Sequence, residues 1–300
     1  MLSILIPIYN QEVVALVDTL QKQCTKAKIT YEILCYDDGS TQEFKNKNAV
    51  VAGYFGVNYT ELSQNLGRSK IRNWLAKTAS YENLLYLDCD SKLVGRKFIQ
   101  NYLKHLDTAK VISGGRIYSK KPPRAKSKKL HWLYGKLRES KPAAYRNKHP
   151  LLYFHSNNFI IKRDLMLAIQ FDENIKGYGY EDLLLAKALR KKDINILHVD
   201  NPVQHLGLEK SKVFLSKTEN AIDNLLWMKY KDKWIKTRLE SSANKLQDWG
   251  FHEDFLRYYK KREKKIIKNL TSDTPKIRNF DFFKLHYYLE KRNEWIEGTV

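Results

Sequence analysis

At 300 residues the chain is long enough for one large α/β domain, alone or with an appendage, and for a sizeable core. Its composition, 43% hydrophobic and 29% charged, excludes the disordered and fibrous classes. Lys and Arg number 54 against 33 Asp and Glu, and the resulting +21 calls for an anionic partner: nucleic acid, an anionic membrane surface or phosphorylated substrates. Three scattered cysteines, Cys24, Cys35 and Cys89, make neither a disulfide framework nor a zinc site and point to a reducing cytosol. Met1 to Ile8 lacks a basic region and a cleavage site, and no run reaches the ~18–20 apolar residues of a membrane span. The expectation is a cytoplasmic chain, neither exported by that route nor membrane-integral.

Leu2 to Ile8 is a continuous apolar run, the pattern of a strand buried on both faces. Asn10 is expected to cap a following helix in which Val13, Val17, Leu20 and Cys24 recur at helical spacing. A second strand, Tyr31 to Tyr36, stops at Asp37-Asp38-Gly39-Ser40, so strand, helix, strand and acidic turn form a βαβ unit. A short strand near Val57 to Leu62 follows, then a helix from Gly67 to Ala79 with Ile71, Trp74, Leu75 and Thr78 on one face.

Asn83 to Asp90 is an apolar run ending in two acids one residue apart. Strand side chains alternate faces, so Asp88 and Asp90 share one side and Cys89 turns away. Two readings stand open: an Asp-rich turn, or a carboxylate pair relieved by a hard cation, Mg²⁺ or Mn²⁺, that itself holds phosphate oxygens. The alternation of strands and helices predicts an α/β fold, a mostly parallel sheet flanked by helices with ligands at the carboxyl ends of its strands. Asp37-Asp38 and Asp88/Asp90 would then lie on one sheet edge.

Lys110 to Tyr118 reads as another strand. Lys120 to Lys129 then places six basic residues and two prolines in ten positions, either a solvated loop or a mobile arm over an anionic donor or acceptor. Leu151 to Ile161 resumes strand character with a polar centre, where Ser156, Asn157 and Asn158 either face a pocket and bond a polar ligand or are satisfied core amides. From Phe171 to Asp182, two glycines and two aromatics lead into the acidic pair Glu181-Asp182 at the head of a helix. Acids there suit the helix dipole, and the glycine-aromatic approach also allows backbone close to a ligand. Ile194 to Val199 reads as a strand, followed by Asn201 to Gly207 with His205.

From Glu209 onward the pattern changes to polar helices: one carrying Val213, Phe214, Ala221, Leu225 and Trp227-Met228, one from Phe251 to Asn269, and one from Phe280 to Trp295. The domain expectation is therefore 1–208 for the sheet domain and 209–300 for a basic, aromatic-rich helical region. Between Phe255 and Lys268 seven basic residues face one acid. Such faces are solvated, pack on the first domain or a second subunit in a homo-oligomer, or dock on an anionic membrane, where each Lys or Arg contributes about 1 kcal/mol.

Four ordered motifs carry a resemblance: Leu5-Ile6-Pro7-Ile8-Tyr9-Asn10, Tyr36-Asp37-Asp38-Gly39-Ser40, Asn65-Leu66-Gly67-Arg68-Ser69-Lys70-Ile71-Arg72-Asn73 and Leu87-Asp88-Cys89-Asp90. Together they resemble family 2 glycosyltransferases of the GT-A fold. The segment Gly177-Tyr178-Gly179-Tyr180-Glu181-Asp182 is similar to the G-(W/Y)-G-x-E-D element of inverting members acting on galactose or N-acetylhexosamines, with Tyr178 in place of the more usual tryptophan.

The resemblance implies metal-assisted transfer of a sugar from a nucleotide-sugar, usually a UDP-sugar; with the basic tail, the expectation is an enzyme acting on a hydroxyl of a glycan or lipid-linked acceptor in bacterial surface polysaccharide synthesis, peripheral on the inner face of the membrane. It puts Pro7 and Tyr9 beside the base, Asp38 on the uracil or ribose with Asp37 close by, Arg72 near the diphosphate and Asp88 at the ribose. Asp90 and His205 become metal ligands, with His198 as the rival histidine, and imidazole favours Mn²⁺ over Mg²⁺. Asp182 becomes the catalytic base and Glu181 its acceptor-orienting neighbour, with burial or a nearby acid expected to raise the Asp182 pKa. Tyr178, Gly179 and Asn157 become acceptor contacts.

Two competing readings are a GT-A-like nucleotidyltransferase and a nucleic-acid-binding protein. Ile8-Tyr9-Asn10-Gln11 is not the glycine-rich loop the first requires. The second conflicts with an acidic pocket whose cations lie elsewhere, so no specific nucleic-acid partner is expected.

Overall fold

The computed structural model describes residues 1–175, 177–231 and 237–296; Lys176, within the glycine-aromatic stretch, lies outside the described residues. In chain order the first elements are β1 (Leu2–Ile8), α1 (Val14–Ala27), β2 (Tyr31–Asp37), α2 (Gln42–Asn48), β3 (Val57–Glu61), α3 (Arg68–Thr78) and β4 (Asn83–Leu87). Next come β5 (Ser91–Leu93), α4 (Phe98–Leu103), β6 (Val111–Ser113), β7 (Arg116–Ile117), α5 (Lys129–Tyr134) and α6 (Ala143–Arg146). Then follow β8 (Asn158–Lys162), α7 (Arg163–Ile169), α8 (Glu181–Lys191), β9 (Ile196–His198) and β10 (Val203–His205). Four helices complete the chain: α9 (Ser211–Tyr230), α10 (Arg238–Asp248), α11 (His252–Leu270) and α12 (Ile277–Ile296).

The chain forms two compact units, one of Met1–Ser119, Arg138–Lys176 and Glu181–Gly207, the other of Lys120–Leu137, Gly177–Tyr180 and Leu208–Val300. The first is built on a seven-stranded sheet in the order β3-β2-β1-β4-β8-β6-β9. All its pairings are parallel except those of β8, which runs antiparallel to both β4 and β6. This is the expected α/β architecture.

Strand alternation explains how the sheet is covered on both sides. Leu2, Ile4, Ile6 and Ile8 join Val13, Val17, Leu20 and Cys24 in one core layer, whereas Leu5 joins Ile71, Leu75 and Ala76 in the other. Leu85 and Leu87 of β4 enter the first layer and Leu84 and Tyr86 the second. Carried past the strand end, that alternation sends Cys89 into the first layer, where it packs, and leaves Asp88 and Asp90 with the opposite face.

Several local expectations need correction. Asn10 does not cap α1: it has φ of 47° and its side chain accepts from the Thr41 amide, while Asn48 accepts from the Val13 amide at 3.0 Å. The buried side of α3 holds Ile71, Arg72, Leu75 and Ala76, and Trp74 instead meets Tyr36 edge-on from a half-exposed position. Lys110 to Tyr118 is not one strand. It breaks at Gly114-Gly115, where Gly115 adopts φ of 82°, and β7 leaves for a three-stranded sheet in the order β5-β10-β7. Of Leu151 to Ile161, only the part from Asn158 onward is strand.

In the second unit, Leu130 of α5 shares a core with Phe214, Tyr259, Ile266, Leu270 and Phe280. Ile222, Leu225, Ala243, Tyr288 and Leu289 form another. The helices expected near Phe214, Phe255 and Phe283 are present as α9, α11 and α12. An additional one, α10, starts at Thr237, whose side chain accepts from the Glu240 amide as an N-cap. Among the described residues no helix is long and apolar enough to cross a membrane.

Candidate active site

Because β1, β2 and β4 are parallel, the residues that follow them emerge on one edge of the sheet. Antiparallel β8 starts there, since Asn158 pairs with Leu87 and the Asp88 amide donates to the Asn157 carbonyl at 3.0 Å. Tyr9, Asp37-Asp38, Asp88 to Asp90 and Asn157 are thus brought together by topology.

The β2 turn is closed by its own carboxylates. Asp37 accepts from the Ser40 amide at 2.7 Å and from the Tyr59 hydroxyl at 3.4 Å. Asp38 accepts from the amides of Leu66 and Gly67 at 2.7 and 3.1 Å, which pins the loop before α3. Burial pushes the Asp38 carboxyl above its ordinary pKa despite those two bonds. Gly39, with φ of 75°, has no room for a side chain, since a Cβ would come 2.7 Å from the Asn65 nitrogen. Beside this turn Tyr9 is 53% exposed, leaving a flat ring open to a ligand, and Pro7 is half-buried.

At the β4 terminus the charges interlock. Arg72, buried over the Phe171 ring, bonds Asp88 at 2.7 Å, so its guanidinium is turned to that carboxylate and shielded from solvent. One turn earlier, the more exposed Arg68 reaches Asp88 at 3.8 Å and the buried Glu181 at 2.9 Å. A guanidinium shared by two carboxylates and still solvent-accessible is better placed than Arg72 to meet a diphosphate. In the sequence its only mark is its place next to Gly67, inside the third motif.

Asp90 meets His205 through strand pairing. β10 runs antiparallel to β5 with His205 opposite Ser91, and the Leu206 amide donates to the Asp90 carbonyl at 2.9 Å. Asp90 Oδ1 lies 3.3 Å from His205 Nδ1. A Cβ on Gly207 would collide with the Asp90 carboxylate, so glycine there keeps the carboxylate's space open. Burial works to raise the Asp90 pKa, but His205, Arg116 and Arg68 outweigh it and hold the carboxyl below its ordinary value.

The pair suits a borderline divalent cation, one oxygen and one imidazole nitrogen, and among the described residues the buried Asp90 Oδ1 accepts no well-aligned hydrogen bond. No group of three or more His, Cys, Asp or Glu able to hold a metal occurs among the described residues. The residues therefore fit a metal completed by ligand oxygens rather than a closed protein cage.

His198, by contrast, is closed off. Its Nδ1 lies 2.6 Å from Arg146 and its Nε2 3.0 Å from the Pro150 carbonyl, and burial pulls its pKa down to about 4. Nor do Asn157 and Asn158 behave alike. The Asn158 side chain is spent on Tyr102, Gly115 and Asn201, a satisfied core amide. Asn157 accepts from Arg116 Nε at 3.2 Å, and Arg116 also bonds Glu139 at 3.2 Å. Glu139 accepts from Tyr118 at 2.5 Å, and the Tyr118 ring stands 5.4 Å from that of His205. Arg116, Tyr118 and Glu139 border the Asp90 pair and were not singled out in the sequence, where only Gly114-Gly115 marks the approach.

Asp182 opens α8 beside Glu181. Its Oδ2 is 3.8 Å from His155 Nδ1, an ion-pair distance, while its buried Oδ1 has no hydrogen-bond partner among the described residues. Burial opposes ionisation, but His155, Arg72 and Ser156 override it and hold the carboxyl well below the usual range. The expected upward offset is thus reversed by a cationic neighbourhood. Tyr178 and Gly179 group with the helical unit, where Asn224 donates to both carbonyls and Lys217 covers the Tyr178 ring. A Cβ on Gly179 would lie 2.6 Å from that of Ala221, so packing against α9 accounts for this glycine.

Comparison with solved structures returns the same fold. TarS residues 1–349 of S. aureus share 16% identity, with 99% of this chain and 91% of that one covered at a TM-score of 0.51. Against a longer TarS structure this chain spans 39% of the length. Glucosyl-3-phosphoglycerate synthase from Mycobacterium tuberculosis, solved with Mn²⁺, UDP and glucosyl-3-phosphoglycerate, shares 16% identity over 75% of this chain and 78% of its own, with a TM-score of 0.51. The mannosyltransferase PcManGT from Pyrobaculum calidifontis, solved with GDP-Man and Mn²⁺, shares 14% over 75% of this chain and 63% of its own, also at 0.51. Comparison with curated proteins finds no match. The model of glycosyl transferase family 2 matches residues 3–168, more than half of the 300, and with the GT-A sheet it establishes that the chain belongs to that family and is a glycosyltransferase.

Proposed function

We propose that the protein is a metal-dependent, inverting transferase that moves a sugar from a UDP-sugar to a hydroxyl of a glycan or lipid-linked acceptor in bacterial surface polysaccharide synthesis, working peripherally at the inner face of the membrane. The observation that carries the chemistry is Asp182 at the head of α8, with Oδ2 3.8 Å from His155 Nδ1 and the buried Oδ1 without a well-aligned hydrogen bond among the described residues. An acceptor hydroxyl would supply that missing hydrogen bond. As its oxygen attacks the anomeric carbon from the face opposite the diphosphate, the proton passes to Asp182, the carbon–diphosphate bond breaks and its electron pair leaves with UDP. Glu181, fastened to Arg68, positions the acceptor side.

On the donor side, the Asp37-Asp38 turn shapes the base and ribose pocket with Pro7 and Tyr9. Arg72 sets Asp88 for the ribose, and Arg68 approaches the diphosphate. Mn²⁺, or Mg²⁺, held by Asp90, His205 and diphosphate oxygens would neutralise charge growing on the leaving group. UDP-GlcNAc in a TarS complex, and UDP with Mn²⁺ in the complex of glucosyl-3-phosphoglycerate synthase, support this donor class. The test is UDP release from a panel of UDP- and GDP-sugars with and without Mn²⁺, together with calorimetry of UDP binding. Mn²⁺-dependent UDP release and loss of Mn²⁺-enhanced UDP affinity in Asp90→Ala are expected. Turnover and UDP affinity indifferent to Mn²⁺ would overturn the metal assignment.

A further inference from the structure

Helix α11 sorts its residues sharply. Tyr259, Ile266 and Leu270 enter the core of the helical unit. At 100° per residue, Arg257, Lys260, Lys261, Lys264, Lys265 and Lys268 fall within one outward arc of about 140°. All six are exposed. Glu253 and Asp254 of the first turn fall on the same arc and offset Arg257, to which Asp254 is bonded at 2.7 Å, but from Lys260 to Lys268 the arc holds cations alone among its charged residues. Further along, Glu263 falls outside the arc.

This is not the pattern of an ordinary solvated face. Such faces interleave Glu and Lys four residues apart, whereas Arg257 and Lys261, Lys260 and Lys264, Lys261 and Lys265, and Lys264 and Lys268 set like charges at that spacing, each mildly destabilising. An anionic partner turns that repulsion into attraction.

Aromatic exposure identifies the kind of anion. The turn before α11 carries Trp249, 66% exposed, and Phe251, 55% exposed. Phe251 and Tyr258 are two turns apart and both lie along the Lys265 edge of the cationic arc, and Tyr258 is 39% exposed. A soluble polyanion satisfies the lysines and leaves these rings in water. A bilayer satisfies both, headgroups meeting the cations and rings entering the interface.

We propose that the outward face of α11, together with the Trp249-Gly250-Phe251 turn, docks the protein on an anionic lipid bilayer. This deepens the peripheral-membrane reading above, and it locates the contact in residues that take no part in the transfer chemistry. Each cation near the surface is worth about five-fold in partitioning.

The test is sedimentation of the full chain at low salt with phosphatidylcholine vesicles, with or without phosphatidylglycerol, alongside UDP release measured without vesicles. Recovery only with the anionic vesicles is expected. A Lys260→Glu, Lys261→Glu, Lys264→Glu, Lys265→Glu variant should lose more than about 100-fold in partitioning and keep its UDP release. The matching Lys→Gln set should fall in the same direction by less, and it serves as the readout should the Glu set misfold. Trp249→Ser with Phe251→Ser should weaken binding by about ten-fold with an unchanged salt dependence. Equal recovery with both vesicle types overturns the proposal. So does anionic-vesicle binding that ignores the aromatic changes and is abolished by soluble polyphosphate, which would make the partner a polymer. Loss of UDP release with vesicle binding intact would count against the transfer reading alone.

Discussion

The two compact units use charge in opposite ways. In the sheet unit, Asp88 is bonded by Arg72, Glu181 by Arg68, and Asp90 and Asp182 each stand beside a histidine. In the helical unit, α11 turns a row of cations outward among its own kind. Charges closed into pairs fix where side chains stand, which chemistry at the ångström scale requires. A one-signed row fixes nothing internally. It selects what the molecule meets.

That contrast can be broken experimentally. The largest effect is expected at Asp182→Asn, which keeps the shape and the contact with His155 but removes the base. Turnover should fall ~10²–10⁴-fold with UDP affinity unchanged by calorimetry, and near-normal turnover would remove Asp182 from that role. Gly207→Ala should be smaller, about 10²-fold in turnover, because the new Cβ displaces the Asp90 carboxylate while the sheet stays intact. An unchanged Mn²⁺ response in that variant would separate Asp90 from the metal.

Titration tests the comparison from another side, because the two units share a buried neutral histidine. His198 and His286 both have their pKa pulled down to about 4, in each case chiefly by burial. Between the ordinary value near 6.5 and about 4, the unfolded chain binds a proton that the folded one refuses. Stability therefore falls as pH drops through that window. For His198 alone the loss from pH 7 to pH 5 is on the order of 2 kcal/mol. Chemical denaturation at both pH values should show this slope, and His198→Gln should make it shallower while the His286 part remains.

The smallest effect lies on α11. Lys264→Glu replaces two like-charge spacings by opposite-charge ones, to Lys260 and Lys268, and should raise stability by roughly 0.5–1 kcal/mol. Thermal denaturation would register this. A residue whose replacement stabilises the isolated protein is retained for some reason other than folding.

Much of the sheet could be read from the chain because hydrophobic periodicity is a local signal. Leu2 to Ile8, the helix starting near Gly67 and the Leu84 to Leu87 run declare their surroundings by the faces on which apolar residues recur. What escaped reading depended on contacts distant in sequence. The break at Gly114-Gly115 is set by Arg146 and by Tyr102, Asn158 and Asn201, which leave a Cβ no room. The burial of Arg72 had no local mark because its partner, Asp88, lies across the loop and strand that follow α3. Arg116 and His155 carried no motif, and their position depends on β7 and on the stretch before β8. A local signal does exist for α10, in Thr237 with Glu240 three residues on, a capping pair at its start.

The partnership of His205 with Asp90 rests on a register. Strand β10 is three residues long and pairs His205 with Ser91, and only Val199 to Pro202 separate it from β9. Adding or removing one residue in that link would turn every side chain of β10 to the other face. Histidine would then still follow the strand pattern but point away from Asp90. At this position, spacing is as much a functional specification as residue identity. A relative with a histidine aligned here but a link of different length would therefore be a doubtful bearer of the same site.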